Sequence, residues 1–158
     1  MNLVRVILLY VIISAAASAQ SSWFWLQPQP TGNQMNAVKF INPLTGYAAG
    51  NVGNIMRTTD GGQSWTLLQT SRRADLYAIE PIGENILIAA GDSGLIMRST
   101  NAGESWNIVR FQAGLLYRRV KFPTALTGYV CGNAGIMAKS TNGGLNWTSI
   151  NSFTGANL

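Results

Sequence analysis

TTDGGQSW, the stretch from Thr58 to Trp65, occurs three times in the chain with small changes. It returns as STNAGESW from Ser99 to Trp106 and as STNGGLNW from Ser140 to Trp147. The closing tryptophans are 41 residues apart at each step. Because a fixed period between about 20 and 50 residues is typical of repeat architectures, the sequence predicts three equivalent structural units in a row.

The repeated stretch, called the box below, has the composition of a tight β-hairpin. Its third residue is Asp or Asn, whose side-chain oxygen accepts hydrogen bonds from nearby backbone amides and so closes a turn. Its fifth residue, glycine, adopts backbone angles that a β-carbon disfavours, and the closing tryptophan buries a large apolar ring. We therefore predict a structural role for the box residues, which are Thr58, Asp60, Gly62, Trp65, Ser99, Asn101, Gly103, Trp106, Ser140, Asn142, Gly144 and Trp147.

Each unit extends upstream of its box into a second glycine turn. The turns GNVG, GDSG and GNAG begin at Gly50, Gly91 and Gly132. Short β-rich runs separated by Gly, Asn and Asp turns are typical of strands. The four strands predicted in the first unit are 38–40, 47–49, 55–58 and 65–68. Because four strands in about 40 residues match one blade of a β-propeller, the predicted fold class is all-β, with three four-stranded propeller blades.

The box resembles the Asp-box, or BNR repeat, of sialidases, sortilin-type receptors and some xyloglucan-cleaving glycosidases. The longer pattern GYAAGNVGNIMRTTDGGQSW, from Gly46 to Trp65, is more similar to the photosystem II assembly and stability factor-like repeats. This resemblance covers residues 23–147 and implies a β-propeller. It also implies a role in assembling larger complexes, or as a module of exported bacterial proteins unrelated to photosynthesis. Asn101 and Asn142 stand where the family pattern usually has aspartate.

Residues 1–19 are predicted to be a signal peptide. Arg5 precedes an apolar run from Val6 to Ile13, and Ala17 and Ala19 form a small-residue cleavage site. The apolar run is too short to cross a bilayer comfortably, and an uncleaved membrane anchor is the alternative. We expect cleavage after Ala19 and a mature chain that is secreted or periplasmic, with no membrane span.

Residues 20–35 are predicted to hold an orphan outer strand and a linker. Phe24 lies 41 residues before Trp65, which aligns this aromatic segment with a fourth strand; a flexible linker is the alternative. The predicted blades are 36–75, 76–115 and 116–158, and the last ends where a fourth blade would begin. Since rings of blades typically need at least four, we expect a fragment of a larger propeller, or copies that self-associate through open blade edges.

The composition limits the classes of function. The net charge is +5 at pH 7, yet only 11% of the residues are charged, whereas a nucleic-acid interface needs a dense basic stripe. The sequence has no histidine, which removes the commonest general base and the commonest metal ligand. Cys131 occupies the place of Ala49 and Ala90 in the other units and is predicted to be a small core residue. We therefore expect no nucleic-acid partner, no metal and no cofactor.

The carboxylates do not form a catalytic pattern. The chain has six of them: Asp60, Asp75, Glu80, Glu84, Asp92 and Glu104. Glycoside hydrolysis needs two carboxyl groups at a defined separation, and no other unit supplies partners for Asp75 or Asp92 at matching positions. We therefore predict no catalytic residues and no enzyme activity. The alternatives are a fragment of an Asp-box glycosidase or sialidase, with catalytic residues partly in missing blades, and a glycan-binding adhesin module.

Arginine and tyrosine cluster near the starts of the predicted first strands. In propellers, the loops from strand two to strand three open on the same face as the loops that lead to the next blade. Arginine and tyrosine are enriched at protein interfaces. The candidate binding residues are Arg72, Arg73, Tyr77, Asp92, Tyr117, Arg118 and Arg119. The sequence thus predicts an exported, non-catalytic β-propeller module for protein recognition or complex assembly. Its expected partner is a protein, and an acidic glycan is the second candidate.

Overall fold

A computed structural model describes residues 31–158. The prediction of a signal peptide at 1–19 lies outside these residues, as does most of the predicted orphan strand and linker at 20–35. Within the described part, no helix is long and apolar enough to pass through a membrane.

The described residues form three antiparallel sheets of four strands each. Blade 1 consists of β1 (Met35–Phe40), β2 (Gly46–Gly50), β3 (Ile55–Thr58) and β4 (Thr66–Leu68). Blade 2 consists of β5 (Leu76–Ile82), β6 (Ile86–Gly91), β7 (Ile96–Ser99) and β8 (Asn107–Arg110). Blade 3 consists of β9 (Tyr117–Lys121), β10 (Gly128–Gly132), β11 (Met137–Ser140) and β12 (Thr148–Ile150). Consecutive strands are neighbours in every sheet, which confirms the predicted all-β class and the four-stranded units.

The box forms the turn between the third and fourth strands of each blade. In blade 2, the hydroxyl oxygen of Ser99 accepts the backbone N–H of Gly103 at 2.9 Å. The side-chain oxygen of Asn101 accepts the N–H of Ser105, also at 2.9 Å. Thr58 and Asp60 make the same two bonds in blade 1, and Ser140 and Asn142 make them in blade 3, all at 2.9 Å. A buried amide needs a hydrogen-bond partner. Because the hydroxyl accepts the N–H of the box glycine, every box begins with Ser or Thr.

The box also joins neighbouring blades. Gly103 has a φ of +90°, and a β-carbon there would lie 2.7 Å from Cδ1 of Leu68 in blade 1. Trp106 donates its indole N–H to the carbonyl of Gly103 and belongs to the core between blades 1 and 2. In blade 3, a β-carbon on Gly144 would lie 2.5 Å from Cδ1 of Ile88 in blade 2. The boxes of blades 2 and 3 therefore pack against the preceding blade.

Blade 2 buries both of its faces, since alternate residues of a strand point to opposite sides. The core between blades 1 and 2 includes Tyr47, Ala49 and Ile55 with Ile79, Leu87, Ala89 and Met97. The core between blades 2 and 3 includes Ile88, Ala90 and Ile96 with Val120, Val130 and Ala138. The two interfaces use equivalent positions of the repeat, so one packing pattern is used twice.

Blades 1 and 3 each have one face without a neighbouring blade among residues 31–158. On blade 1 this open face carries Val38 and Leu67, which are 56% and 42% exposed. The position equivalent to Val38 in blade 2 is Ile79, which is buried. On blade 3 the open face carries Ile150, 36% exposed. Val38 is therefore exposed at a position that blade 2 buries, whereas Ile108, the blade 2 equivalent of Leu67, is itself 43% exposed.

Candidate binding cleft on the inner strands

The first strands of the three blades, β1, β5 and β9, lie side by side and form the walls of a cleft. Its upper end has a volume of about 380 Å³ and is lined by Asn36, Ala37, Val38, Lys39, Tyr77, Ala78, Ile79, Arg118, Arg119, Val120 and Lys121. Its lower end has a volume of about 360 Å³ and is lined by Lys39, Phe40, Ile41, Glu80, Pro81, Gly83 and Lys121. The two ends share Lys39 and Lys121, so together they form one inner-strand cleft.

Each inner strand contains a β-bulge at the same position of the repeat. The pairing of β1 with β2 leaves out Asn36, that of β5 with β6 leaves out Tyr77, and that of β9 with β10 leaves out Arg118. A bulge leaves one residue outside the ladder and redirects its side chain. The repeated bulge therefore explains why the upper end gathers an asparagine, a tyrosine and an arginine from three blades.

Two neighbours hold Arg118 at the upper end. Its Nε donates a hydrogen bond to Oδ1 of Asn133 at 2.6 Å, and its guanidinium carbon lies 5.5 Å from the centre of the Tyr77 ring. The second contact is a cation–π interaction between blades 3 and 2. Asn36, the bulge residue of blade 1, donates to Oδ1 of Asn51 at 2.8 Å. Because Arg118 is already oriented, a ligand that it binds loses less conformational entropy on binding.

The lower end holds a buried carboxylate between two lysines. Glu80 is only 4% exposed. Its Oε1 accepts a hydrogen bond from Nζ of Lys121 at 2.6 Å, and its Oε2 lies 3.9 Å from Nζ of Lys39. Lys39, Glu80 and Lys121 are 41 residues apart, one in each inner strand. The predicted site did not include this ion triad, although the step that aligns the boxes also aligns its three residues.

The cleft carries an excess of positive charge. The residues that line its upper end include four cations and no carboxylate; the cations are Lys39, Arg118, Arg119 and Lys121. At the lower end, Glu80 faces two of them. The side chains of Lys39 and Lys121 are 49% and 69% exposed, so their ammonium groups are accessible. Charges of one sign along a cleft attract a ligand of the opposite sign, and the arrangement therefore suits an anionic ligand.

The structure separates the predicted binding residues into two groups. Three of the seven line the cleft: Tyr77, Arg118 and Arg119. Arg72 does not line it, and its guanidinium carbon lies 4.4 Å from the centre of the Phe111 ring. Arg73 is exposed and also does not line the cleft. Only the arginines on an inner strand therefore contribute charge to the cleft.

Tyr117 is a core residue and not part of a surface rim. Its side chain is 1% exposed and lies in the core between blades 2 and 3. Burial raises the pKa of its phenol, although the charge of Arg110 acts in the opposite direction. Leu76, the equivalent residue of blade 2, is also buried. The expectation that Tyr117 belongs to a binding surface is therefore corrected, and the 41-residue step identifies it as a core position.

Two aspartates near the upper end stabilise turns. Oδ1 of Asp75 accepts the backbone N–H of Val52 at 2.9 Å, and Oδ1 of Asp92 accepts that of Ser93 at 2.6 Å. Val52 and Ser93 are the middle residues of the glycine turns and have φ values of 59° and 56°. Side chains with a β-carbon disfavour this left-handed region, so the aspartates support strained turns. Within residues 31–158, no group of three or more His, Cys, Asp or Glu residues could hold a metal ion.

Comparison with known proteins agrees with this architecture. The sequence profile of the family described as photosynthesis system II assembly factor YCF48 matches residues 15–149. No curated protein matches the chain. The solved structure of YCF48 bound to D1 peptide is 23% identical, with a TM-score of 0.66 over 76% of this chain and 40% of that chain.

Two further solved structures have the same fold. YCF48 from Cyanidioschyzon merolae is 21% identical, with a TM-score of 0.61 over 77% of this chain and 38% of that chain. An ancestral GH74 enzyme is 26% identical, with a TM-score of 0.61 over 75% of this chain and 18% of that chain. The chain thus spans less than half the length of each of these proteins. The matches confirm the predicted propeller and its resemblance to photosystem II assembly factor-like repeats.

Proposed function

Because this chain belongs to the family described as photosynthesis system II assembly factor YCF48, we propose that it is a non-catalytic scaffold that binds a protein partner during the assembly of a larger complex. The proposed site is the inner-strand cleft, and the proposed partner is an acidic, extended segment of another protein. The observation that carries the proposal is the row of cations along the cleft, Lys39, Arg118, Arg119 and Lys121.

The chemistry of the cleft supports a peptide carboxylate as the group that is bound. Pockets for small molecules are mostly apolar with few charged groups, whereas four of the eleven residues that line the upper end are cations. Arginine makes bidentate hydrogen bonds to carboxylates, and Arg118 is already oriented by Asn133 and Tyr77. Tyrosine and arginine are also enriched among the residues that contribute most to protein binding. The upper end therefore combines a charged contact with an aromatic surface.

A related structure supports a peptide partner. It is described as YCF48 bound to D1 peptide, so one member of the family binds a peptide. The protein described here covers only 40% of the YCF48 chain in that structure. The partner is therefore proposed from the chemistry of the cleft and not from the ligand of the relative.

A second candidate is a fragment of an Asp-box glycosidase, favoured by the similarity to an ancestral GH74 enzyme. Glycoside hydrolysis needs two carboxyl groups that flank the scissile bond. In this chain Asp60, Asp75 and Asp92 accept backbone amides in turns, and Glu80 is paired with lysines. These contacts favour the scaffold over the enzyme.

A third candidate is a module that binds an acidic glycan without catalysis, because the anionic groups of the glycan would also suit the cations of the cleft.

We also propose that the chain acts outside the cytoplasm, in the periplasm or after secretion. The support is the charged start, apolar run and small-residue cleavage site of residues 1–19. The mass of the mature protein recovered from expressing cells should correspond to a chain that begins at Gln20. A mass that includes residues 1–19 would contradict cleavage.

A binding titration tests the function. A short fluorescein-labelled peptide of alternating serine and glutamate is titrated with the protein at about 0.15 M salt, where charges more than about 8 Å apart are largely screened, and a serine–lysine peptide is the charge-inverted control. We expect saturable binding of the acidic peptide alone. The double variant Arg118→Glu/Arg119→Glu should weaken it by about tenfold or more, because two attractive contacts become repulsive. Arg72→Glu/Arg73→Glu makes the same charge change outside the cleft and should alter the affinity by less than about twofold, because salt screens distant charges.

Three results would contradict this account. Equal losses in the cleft and control variants would show a general charge effect and no specific site. Equal binding of the acidic and basic peptides would exclude recognition of carboxylates. Tighter binding of polygalacturonate than of the acidic peptide, lost in the cleft variant, would favour the glycan candidate.

A further inference from the structure

We propose that the inner-strand cleft binds two anionic groups at once, one at each end, so that its partner is an extended peptide with two acidic residues two positions apart. This inference rests on the function proposed above and specifies the pattern that the partner carries. It follows from two sets of cations on the inner strands: Arg118 and Arg119 at the upper end, and Lys39 and Lys121 at the lower end.

The upper set is suited to one carboxylate. A guanidinium has five N–H donors in a planar fork, and the bond from Arg118 to Asn133 uses the donor at Nε. The donors on its two terminal nitrogens can form a bidentate end-on pair with a carboxylate. The ring of Tyr77 beside the guanidinium restricts its orientation. Arg119, the next residue of the same strand, adds a second exposed cation.

The lower set has one more positive charge than it has negative charges. A buried carboxylate has to be balanced by a charged partner, and the short contact of Glu80 is to Lys121, at 2.6 Å. Lys39 lies farther from the carboxylate, at 3.9 Å, and its side chain is half exposed. Lys39 is therefore the cation that a second carboxylate would meet.

The geometry of β9 determines the spacing of the two anionic groups. Lys121 follows Arg119 by two residues and Arg118 by three, and Lys39 lies at the level of Lys121 because both contact the carboxylate of Glu80. A strand rises about 3.3 Å per residue, so the two anchors are roughly 7 to 10 Å apart. An extended peptide beside the strand has the same rise and turns every second side chain to the same face, so its acidic residues must be two positions apart to reach both anchors.

Glu80 controls the strength of the lower anchor. Its carboxylate repels a ligand carboxylate and competes with it for Lys39 and Lys121. Glu80→Gln keeps the shape and an acceptor oxygen but removes the negative charge. The variant should therefore strengthen the binding of a peptide that reaches the lower anchor. A purely structural role for the ion triad predicts no such gain.

Two labelled peptides of equal net charge test the inference. Both carry two glutamates in a glycine–serine background, adjacent in one peptide and two positions apart in the other, so that only the second peptide turns both carboxylates to one face when extended. In anisotropy titrations with the full mature chain, the spaced peptide should bind roughly fivefold more tightly. Lys39→Gln should remove this preference without weakening the adjacent peptide. Glu80→Gln should increase the preference by roughly another fivefold. Circular dichroism melting curves of both variants check that they are folded.

The possible failures are distinguishable. If neither peptide binds, the proposed function is wrong. If both bind equally and Lys39→Gln changes neither affinity, the cleft is a peptide site with a single anchor and the two-anchor inference is wrong. A folded Glu80→Gln variant that binds the spaced peptide more weakly than the wild type would also contradict the inference, because the carboxylate would then assist binding.

Discussion

Arg118 contacts Tyr77 across the boundary between blades 3 and 2, with its guanidinium carbon 5.5 Å from the centre of the tyrosine ring. Both are bulge residues of inner strands, and they are 41 residues apart. The same backbone irregularity in consecutive blades thus brings an arginine and an aromatic ring together. The binding cleft is therefore a product of the repeat, because equivalent positions face one another only when the blades are packed side by side.

Loss of the Tyr77 ring should weaken the cleft without removing charge. An exposed cation–π contact contributes about 0.5–1 kcal/mol, so Tyr77→Ala should reduce the affinity for the acidic peptide about two- to fivefold. Tyr77→Phe keeps the ring and should bind nearly as well as the wild type. Anisotropy titrations of both variants measure the effect. Equal losses would show that the hydroxyl matters and would contradict a role for the ring in holding Arg118.

The box of blade 1 should make stability depend on acid pH. Hydrogen bonds from Ser64, and then from Thr58, lower the pKa of Asp60 from 3.8 to about 2. Because this pKa is lower in the folded chain than in the unfolded chain, the stability that the carboxylate contributes is complete above about pH 4. It is lost as the pH falls towards 2. Urea denaturation should show a steeper fall in the free energy of unfolding for the wild type than for Asp60→Asn over this interval.

The other two boxes supply the control for this prediction. Asn101 and Asn142 accept the same backbone hydrogen bond at 2.9 Å and do not titrate. Asparagine therefore fits the position, and Asp60→Asn should be folded at neutral pH. Parallel pH profiles for the wild type and Asp60→Asn would contradict the assignment.

A methyl group at a box glycine should disturb the packing between blades. Gly103 and Gly83 have similar φ values, +90° and +84°, where alanine costs about 1–2 kcal/mol. A β-carbon on Gly103 would lie 2.7 Å from Leu68, whereas nothing lies within 4 Å of one on Gly83. Since overpacking adds about 1–3 kcal/mol, urea denaturation should show a larger loss for Gly103→Ala than for Gly83→Ala. Equal losses would mean that the box glycine is needed only for its backbone angles.

The open face of blade 1 should promote association of the chain. Val38 and Leu67 are exposed there, and burial of apolar surface favours contact with another apolar face. Val38→Asp combined with Leu67→Asp should lower the average mass measured by sedimentation at high protein concentration. Leu126→Asp is the control, because this exposed leucine lies in the turn between β9 and β10. An equal decrease in the control, or no decrease in the double variant, would contradict the prediction.

The strand order and the box follow from local chemistry, which is why the sequence predicts them. A hydroxyl, an Asx side chain, a glycine and a tryptophan at fixed spacing define one turn, and three copies define the repeat. The bulges are different, because a bulge depends on how two strands pair and no single residue type marks it. The bulge explains why the neighbours Tyr117 and Arg118 differ, since one is buried and the other lines the cleft.

The ion triad of Lys39, Glu80 and Lys121 could not be predicted from composition or from the local sequence. Glu80 stands in an ordinary apolar strand pattern, and nothing around it in the sequence predicts a buried carboxylate. Only the alignment of three inner strands places it between Lys39 and Lys121. Residues whose role depends on contacts between repeats therefore require the repeats to be compared position by position.

The most direct test of the cleft is a nuclear magnetic resonance titration of the ¹⁵N-labelled chain with the acidic serine–glutamate peptide. The account predicts saturable chemical-shift changes at the amides of the three inner strands, including those of Val38, Ile79 and Val120. The box turns and the outer strands β4, β8 and β12 should change little. Changes confined to the outer strands or to the box turns would contradict the claim that this propeller binds its partner on the inner strands.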